Sequence, residues 1–265
     1  MAEMLRAAAW LLLLLVFGLA ERRWPVRRQP LLRPGWQVDL GYFVLSSFAP
    51  RLLLALPLSA LAALLHQAVP AAYYQAAAEL PLGLRLLLAL VVSDLGAYWG
   101  HRWAHRWAWW WRLHAVHHSA EQMDWLVNTR AHPLDMALQR LCGLVPAHAL
   151  GLLQPAGAQV DWAPLLLVVI GTAWGYFVHA NVNWRLGRLE GLLSTPRFHH
   201  WHHAHGQADA IDKNFAALLP GLDRLFGTLH LPPGQWPAGY GTDTPVPPTL
   251  LGQLIGPLKP PRQQT

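Results

Sequence analysis

The chain has 265 residues, of which 54% are hydrophobic and 13% charged, with a formal net charge of +6 at neutral pH. Soluble domains carry about 25% charged residues, so this composition excludes an ordinary soluble globule and points to a protein in or on a membrane. The single cysteine, Cys142, excludes an internal disulfide and any cysteine-ligated iron–sulfur cluster or zinc ribbon.

Apolar runs near the roughly 20 residues of a membrane span recur along the chain. Ala7–Ala20 is the first; it has no convincing small-residue cleavage site and is followed at once by Glu21-Arg22-Arg23, so it reads as a retained anchor. Leu40–Leu65 follows, and Pro50-Arg51 within it predicts a break or a re-entrant bend. Leu80–Gly100 carries Asp94 near its end, Leu134–Leu153 is weaker, and Ala163–Val182 is the fifth run. Cys142 lies in the fourth and reads as a core or lipid-facing residue. The expected fold is all-α: a polytopic membrane protein with about four to five transmembrane or re-entrant helices. Residues 1–230 form one membrane domain, and the proline-rich segment 231–265 reads as an extended or partly disordered tail.

Basic residues orient this chain. Arg22, Arg23, Arg27, Arg28 and Arg33 follow the first run, Arg102, Arg106, Arg112 and Arg130 the third, and Arg185, Arg188, Arg197 and Lys213 the fifth. The intervening segments 67–79 and 154–161 hold no Lys or Arg. The positive-inside rule then puts every basic segment except Arg6 on the cytoplasmic side. Anionic lipid accounts for the net charge, and nucleic acid does not, because these residues flank spans rather than form a patch.

Ten of the 15 histidines fall in two windows, His101–His118 and His199–His205, which the charge pattern places on the same side. Both contain H-x-x-H-H, at 114/117/118 and 199/202/203, and an H-x-x-x-H pair stands at 101/105. Residues three and four apart share a helix face, so each unit is expected to aim its imidazoles at one point. Imidazole is the commonest nitrogen ligand of iron, zinc, copper and nickel. Eight or more imidazoles exceed the four ligands of one tetrahedral zinc, which predicts two metals in a histidine-rich helical cap. No H-E-x-x-H or Glu-x-x-His pair is present, which counts against a zinc protease and a carboxylate-bridged bundle site.

At about 100° per residue, Asp94, Tyr98, His101 and His105 share one arc. Trp99, Trp103, Trp107 and Trp110 fall on the opposite one, as in an aromatic belt at a membrane surface. An Asp within a span must face the interior and be partnered; Asp94 is expected to accept a histidine N–H rather than bind metal. A straight helix from Asp94 to Ser119 would separate His101 and His114 by roughly 20 Å. One shared cluster therefore requires a bend around Ala108–Arg112.

The chain resembles the fatty acid hydroxylase/sterol desaturase superfamily of integral-membrane di-iron oxygenases, in its bacterial-type branch. The resemblance covers about 94–228. It rests on Asp94-x-x-x-Tyr98-x-x-His101-Arg102-x-x-His105, Trp111-x-x-His114-x-x-His117-His118-Ser119, Asn128-Thr129-Arg130-x-His132-Pro133 and His179-x-Asn181. It continues through Thr195-Pro196-x-x-His199-x-x-His202-His203, Asp212-Lys213-Asn214-Phe215 and Phe226-Gly227-Thr228.

The resemblance implies two irons bound by His101, His105, His114, His117, His118, His199, His202 and His203, with His179 added from the span before the last box. Relatives with a further histidine four residues on have Asn183 at that place here, so one iron would have an asparagine, a water or an open position. His132, Asn181, His200, Asp94 and Tyr98 are candidates for ligand or hydrogen-bonding roles around the metals; helix-end structure competes with a ligand role for His132. His66, His148 and His230 read as structural, and His205 as solvated.

The implied reaction is O2-dependent hydroxylation or desaturation of an unactivated C–H bond in a lipid: a sterol, fatty acyl chain, carotenoid or related molecule. It would draw electrons from a separate reductase with a ferredoxin or cytochrome b5-like carrier, since the sequence carries no recognisable redox motif of its own. The expected location is a bacterial inner membrane, or the endoplasmic reticulum of a eukaryote. A histidine-rich metal transporter or sensor and a membrane haem protein with paired axial histidines are the competing readings.

Overall fold

The computed structural model describes residues 15–153 and 162–259. Most of the Ala7–Ala20 run and all of the 154–161 turn lie outside them; residues 15–23 are helical (α1). Ten further helices follow: α2 (Trp36–Ser46), α3 (Ala49–Ala68), α4 (Ala71–Ala78), α5 (Leu82–Arg106), α6 (Ala108–His118), α7 (Pro133–Ala149), α8 (Trp162–His179), α9 (Pro196–His202), α10 (Gly221–Leu225) and α11 (Leu250–Ile255). The fold is helical, with no sheet among the described residues; isolated bridges pair Pro25 with Val182 and Ala204 with Tyr240.

Among the described residues, three segments are long and apolar enough to cross a membrane: Trp36–Ala68, Leu82–Arg106 and Trp162–His179. The first comprises α2 and α3, interrupted at Ser47 and Phe48, immediately before the helix-initiating Pro50. The fourth apolar run becomes α7, a 17-residue helix with buried Asp135 in its first turn. It packs along α5 and α3.

Glycine sets the α5–α7 distance. A Cβ on Gly96 would lie 2.1 Å from the Cys142 carbonyl oxygen, and one on Gly143 would lie 2.8 Å from the Ser93 oxygen. The helices meet backbone to backbone, and Cys142 is part of that contact. Gly96→Ala must push them apart, and overpacking of this kind costs about 1–3 kcal/mol. A lowered thermal midpoint in detergent is expected; an unchanged one would contradict the close approach.

The predicted turn between the first two histidine groups is present, one residue before the expected stretch. α5 ends at Arg106, Trp107 takes an extended conformation (φ −95°, ψ 114°), and α6 starts at Ala108. The opposite-arc tryptophans divide accordingly. Trp103 and Trp107 stack in parallel with centroids 5.4 Å apart, and both are exposed. Trp110 lies beyond the turn, is buried, and donates its Nε1–H to Asp135 at 2.7 Å. The helix arc used to place Trp110 on the belt ends at Trp107.

The segment from Leu231 packs back over the histidine end of the molecule. Trp201 Nε1 donates to the Gln235 carbonyl and Trp111 Nε1 to Thr244 Oγ1. The N-terminal segment 24–33 crosses the same end: Asn181 pairs with Arg27 through both its carboxamide atoms, and the Arg27 guanidinium lies over the Tyr240 ring at 4.6 Å.

Candidate metal centre

α5 and α8 both bring their C-terminal ends to one place, where they meet the end of α6 and the short helix α9. Thr195 caps α9 by accepting the Phe198 N–H, and Pro196 follows at the first helical position, so the third histidine box begins in a fixed register. The nine box and span histidines converge as two groups: His101, His105, His114, His118 and His202, and separately His117, His179, His199 and His203. Within each group, one ring nitrogen per residue lies within 4.8 Å of all the others. The groups adjoin; the His118 and His203 rings stack at 4.5 Å.

Neither H-x-x-H-H unit aims at one point. In each, the residues four apart serve one group, and the third histidine crosses to the other. Thus His114 and His118 join the five-histidine group while His117 joins the four; His199 and His203 join the four while His202 joins the five. The first and fourth residues of such a unit differ by about 300° around the helix and the first and fifth by about 400°. Two foci side by side separate those two directions.

Six of the nine imidazoles have Nδ1 against an oxygen, which fixes the proton there and leaves the Nε2 lone pair facing inward. His101 donates to the Phe215 carbonyl at 2.8 Å, His202 to the Lys213 carbonyl at 2.8 Å, His117 to the Arg130 carbonyl at 3.0 Å and His179 to the Gly175 carbonyl at 2.7 Å. His114 donates to Asp135 at 2.9 Å and His105 to Asp212 at 3.2 Å. The inward nitrogens face one another at hydrogen-bond distance with no proton to share: His101 and His114 Nε2 at 3.1 Å, His117 and His179 Nε2 at 3.2 Å. Nε2 of His105, His118 and His202 and Nδ1 of His203 are buried with no hydrogen-bond partner among the described residues.

Lone pairs turned on lone pairs, with buried nitrogens left unpaired, are what a cation at each focus would satisfy. Burial, with the neighbouring His114, pushes His117 down to about 4. Burial holds His118, His199, His202 and His203 well below the ordinary histidine value as well. These imidazoles are therefore neutral at physiological pH, the state that binds metal. An all-nitrogen donor set fits iron.

One tetrapeptide orients three of the five histidines. Asp212 and Asn214 adopt left-handed backbone conformations (φ 56° and 59°), as Asp and Asn do more readily than other side-chain-bearing residues. The result aims the Asp212 carboxylate at His105 and the Lys213 and Phe215 carbonyls at His202 and His101. Asn214 locks the turn by donating to the Phe198 and His230 carbonyls and accepting the His230 N–H.

Asp94 is buried and partnered, but not by a histidine. It accepts the backbone N–H groups of Ala217, Leu218 and Leu219 at 2.7–3.0 Å, and so holds the loop that follows Phe215. Two helical turns of α5 separate it from His101, which donates to the Phe215 carbonyl of the same loop instead. Tyr98 works on the same loop: its hydroxyl meets Thr228 Oγ1 at 2.8 Å, Thr228 donates to Asp223, and Asp223 accepts the Phe215 and Ala216 N–H groups.

The remaining candidates lie outside both groups. His132 caps α7 by accepting the Leu134 N–H and donates its other ring N–H to the Leu254 carbonyl, so it is helix-end structure. His200 donates Nε2–H to the His179 carbonyl and accepts from the Tyr240 hydroxyl, which keeps the end of α8 in place. Asn181 is taken up by Arg27. Asn183 is exposed and accepts Trp236 Nε1–H at 3.3 Å; α8 stops at His179, so four residues on is no longer the same helix face.

Asp135, which receives a histidine N–H directly, is not singled out by any spacing in the sequence; Asp212, which does the same, stands in the Asp212-Lys213-Asn214-Phe215 stretch of the resemblance with no role assigned to it. Asp135 follows His132-Pro133 in the first turn of a helix. Asp212 alternates with Asn214, a pattern that signals left-handed turns.

Residues 86–228 match the model of the fatty acid hydroxylase family. The chain belongs to that family. It is 32% identical over 178 residues to an ornithine lipid hydroxylase of Rhizobium tropici, across 67% of this chain and 51% of that protein. It is 31% identical over 169 residues to the alkylglycerol monooxygenase of Danio rerio, across 60% of this chain and 33% of the relative. The Homo sapiens alkylglycerol monooxygenase matches at 30% over 152 residues, 54% of this chain and 30% of the relative. The chain thus spans about half or less of the length of these curated relatives. No solved structure matches it. The matched region runs from α5 to Thr228 and contains all nine clustered histidines and both carboxylates.

Proposed function

We propose that this family member is a lipid hydroxylase in which the nine clustered histidines hold two irons. The observation that carries the reading is the pair of histidine groups, each with its nitrogens within 4.8 Å and several of them buried without a partner among the described residues. His101, His105, His114, His118 and His202 hold one iron, and His117, His179, His199 and His203 the other. With one ligand fewer, the second position is the more open to an exogenous molecule. When bound, the irons supply O2 activation: R–H + O2 + 2 electrons + 2 protons gives R–OH + H2O. The electrons come from a separate carrier protein.

The chain's own part is to hold those metals where α5 and α8 end, at the margin of two candidate spans, so that a lipid chain reaches them without leaving apolar surroundings. The 24–33 and 231–259 segments shield the opposite side. The positive-inside pattern supports a site on the cytoplasmic face. The relatives' names favour hydroxylation over desaturation, and a lipid with a polar head over a carotenoid.

The ligand arrangement disfavours the competing readings. A transporter would carry ligands within several spans near mid-membrane, whereas most of these histidines lie on α6 and α9. Paired haem-axial histidines need room for a macrocycle between them, and these groups hold their nitrogens within 4.8 Å. Lipidomic comparison of cells with and without the protein tests the reaction class. One lipid class gaining a single oxygen from O2 is expected; an unchanged profile, with the protein present and iron-loaded, would overturn it.

A further inference from the structure

The two histidine groups differ in what stands behind them. In the five-histidine group, His114 and His105 each give Nδ1–H to a carboxylate, Asp135 at 2.9 Å and Asp212 at 3.2 Å. In the four-histidine group, the Nδ1 partners of His117 and His179 are neutral carbonyls. Among the described residues, no carboxylate forms a hydrogen bond or ion pair with a histidine of that group; Asp135 reaches His117 only through space.

A carboxylate accepting Nδ1–H draws the proton toward itself and increases electron density at Nε2, which makes the imidazole a stronger ligand than one backed by a carbonyl. Asp135 is well placed for this. It is buried, and its second oxygen is fixed by Trp110 Nε1–H at 2.7 Å. Asp212 is half-exposed but fixed by its left-handed backbone at the head of the turn that also carries the Lys213 and Phe215 carbonyls.

We propose that Asp135 and Asp212 are positioning residues that make the five-histidine position the tighter-binding and more electron-rich of the two, leaving the four-histidine position as the labile one. The inequality follows from two carboxylates placed on one side of an otherwise all-imidazole site. It rests on the two-metal reading above.

The test uses full-length protein in detergent, loaded with Co2+, and follows release of the metal to a chelator by the visible Co2+ bands. Wild-type protein is expected to release two equivalents in two phases, the slow one belonging to the five-histidine position. His118→Ala identifies that phase by speeding or abolishing it. Asp212→Asn retains a residue that tolerates the left-handed backbone and can still accept the His105 N–H, but removes the charge. It is expected to speed the slow phase about 10–100-fold, the usual consequence of losing such a partner, and to leave the fast phase unchanged. Asp135→Asn is expected to act on the same phase.

A general structural disturbance would move both phases and the thermal midpoint together, and that result overturns the proposal. So does a slow phase unchanged by Asp212→Asn, or one that His118→Ala leaves unchanged. Wild-type protein that binds fewer than two equivalents would remove the two-metal reading itself, and the inequality with it.

Discussion

Replacing His202 with alanine is expected to abolish activity and remove about one metal per chain, while the protein still inserts and folds. His117→Ala is expected to do the same to the other metal. These two are the crossing residues: each leaves its own helix partners and serves the neighbouring group. His202 Nε2 is buried with no hydrogen-bond partner among the described residues, and its Nδ1 is fixed by the Lys213 carbonyl. His117 is fixed in the same way by the Arg130 carbonyl. Deletion of a ligand from a two-metal centre commonly costs as much activity as loss of the whole unit, because groups that act together are not additive. Metal analysis of both purified variants decides the matter. Two metals retained in both would refute the ligand role, and aggregated protein would mark these histidines as structural instead.

The second large effect is on stability. Asp39→Ala is expected to destabilise the protein by about 3–5 kcal/mol, the usual result of leaving a buried charge unpaired. Asp39 is 0% exposed and is clamped by two guanidiniums: Arg33 donates to one oxygen at 2.6 Å, and Arg130 Nε donates to the other. Arg33 retains Asp124 as a partner after the change; Arg130 loses its one carboxylate among the described residues. Because the Arg130 carbonyl receives the His117 N–H, the same substitution is expected to loosen the four-histidine group. Unfolding in mixed micelles measures the first effect, and a change below about 1 kcal/mol would contradict it. Asp39→Asn retains acceptor capacity and is expected to be milder.

Spacing makes the eight box histidines legible in the sequence, and the family resemblance adds His179. The i, i+4 pairs 101/105, 114/118 and 199/203 follow from helix periodicity alone, and the crossing of His117 and His202 is the same periodicity applied to two centres. The turn at Trp107 is legible from distance: a straight helix cannot bring His101 to His114. What the sequence conceals lies on other elements. Asp135 reaches His114 from α7, and Asp212 reaches His105 across a separation of 107 residues. No local periodicity encodes either. Asp94 is legible as a partnered intramembrane acid, but its partners are backbone N–H groups, which nearly every residue type offers and no motif marks. The 231–259 segment has little apolar periodicity because it is held by hydrogen bonds and ring contacts to the cap rather than by an amphipathic face. Tyr240, Thr244 and Leu254 make those contacts one at a time.

Metal content and optical spectra of anaerobically purified protein test the central claim most directly. The account predicts two non-haem irons per chain, no Soret band, and O2 uptake once an electron-carrier system is supplied. A Soret band, or one tightly held zinc with no O2 uptake under any reductase, would contradict it.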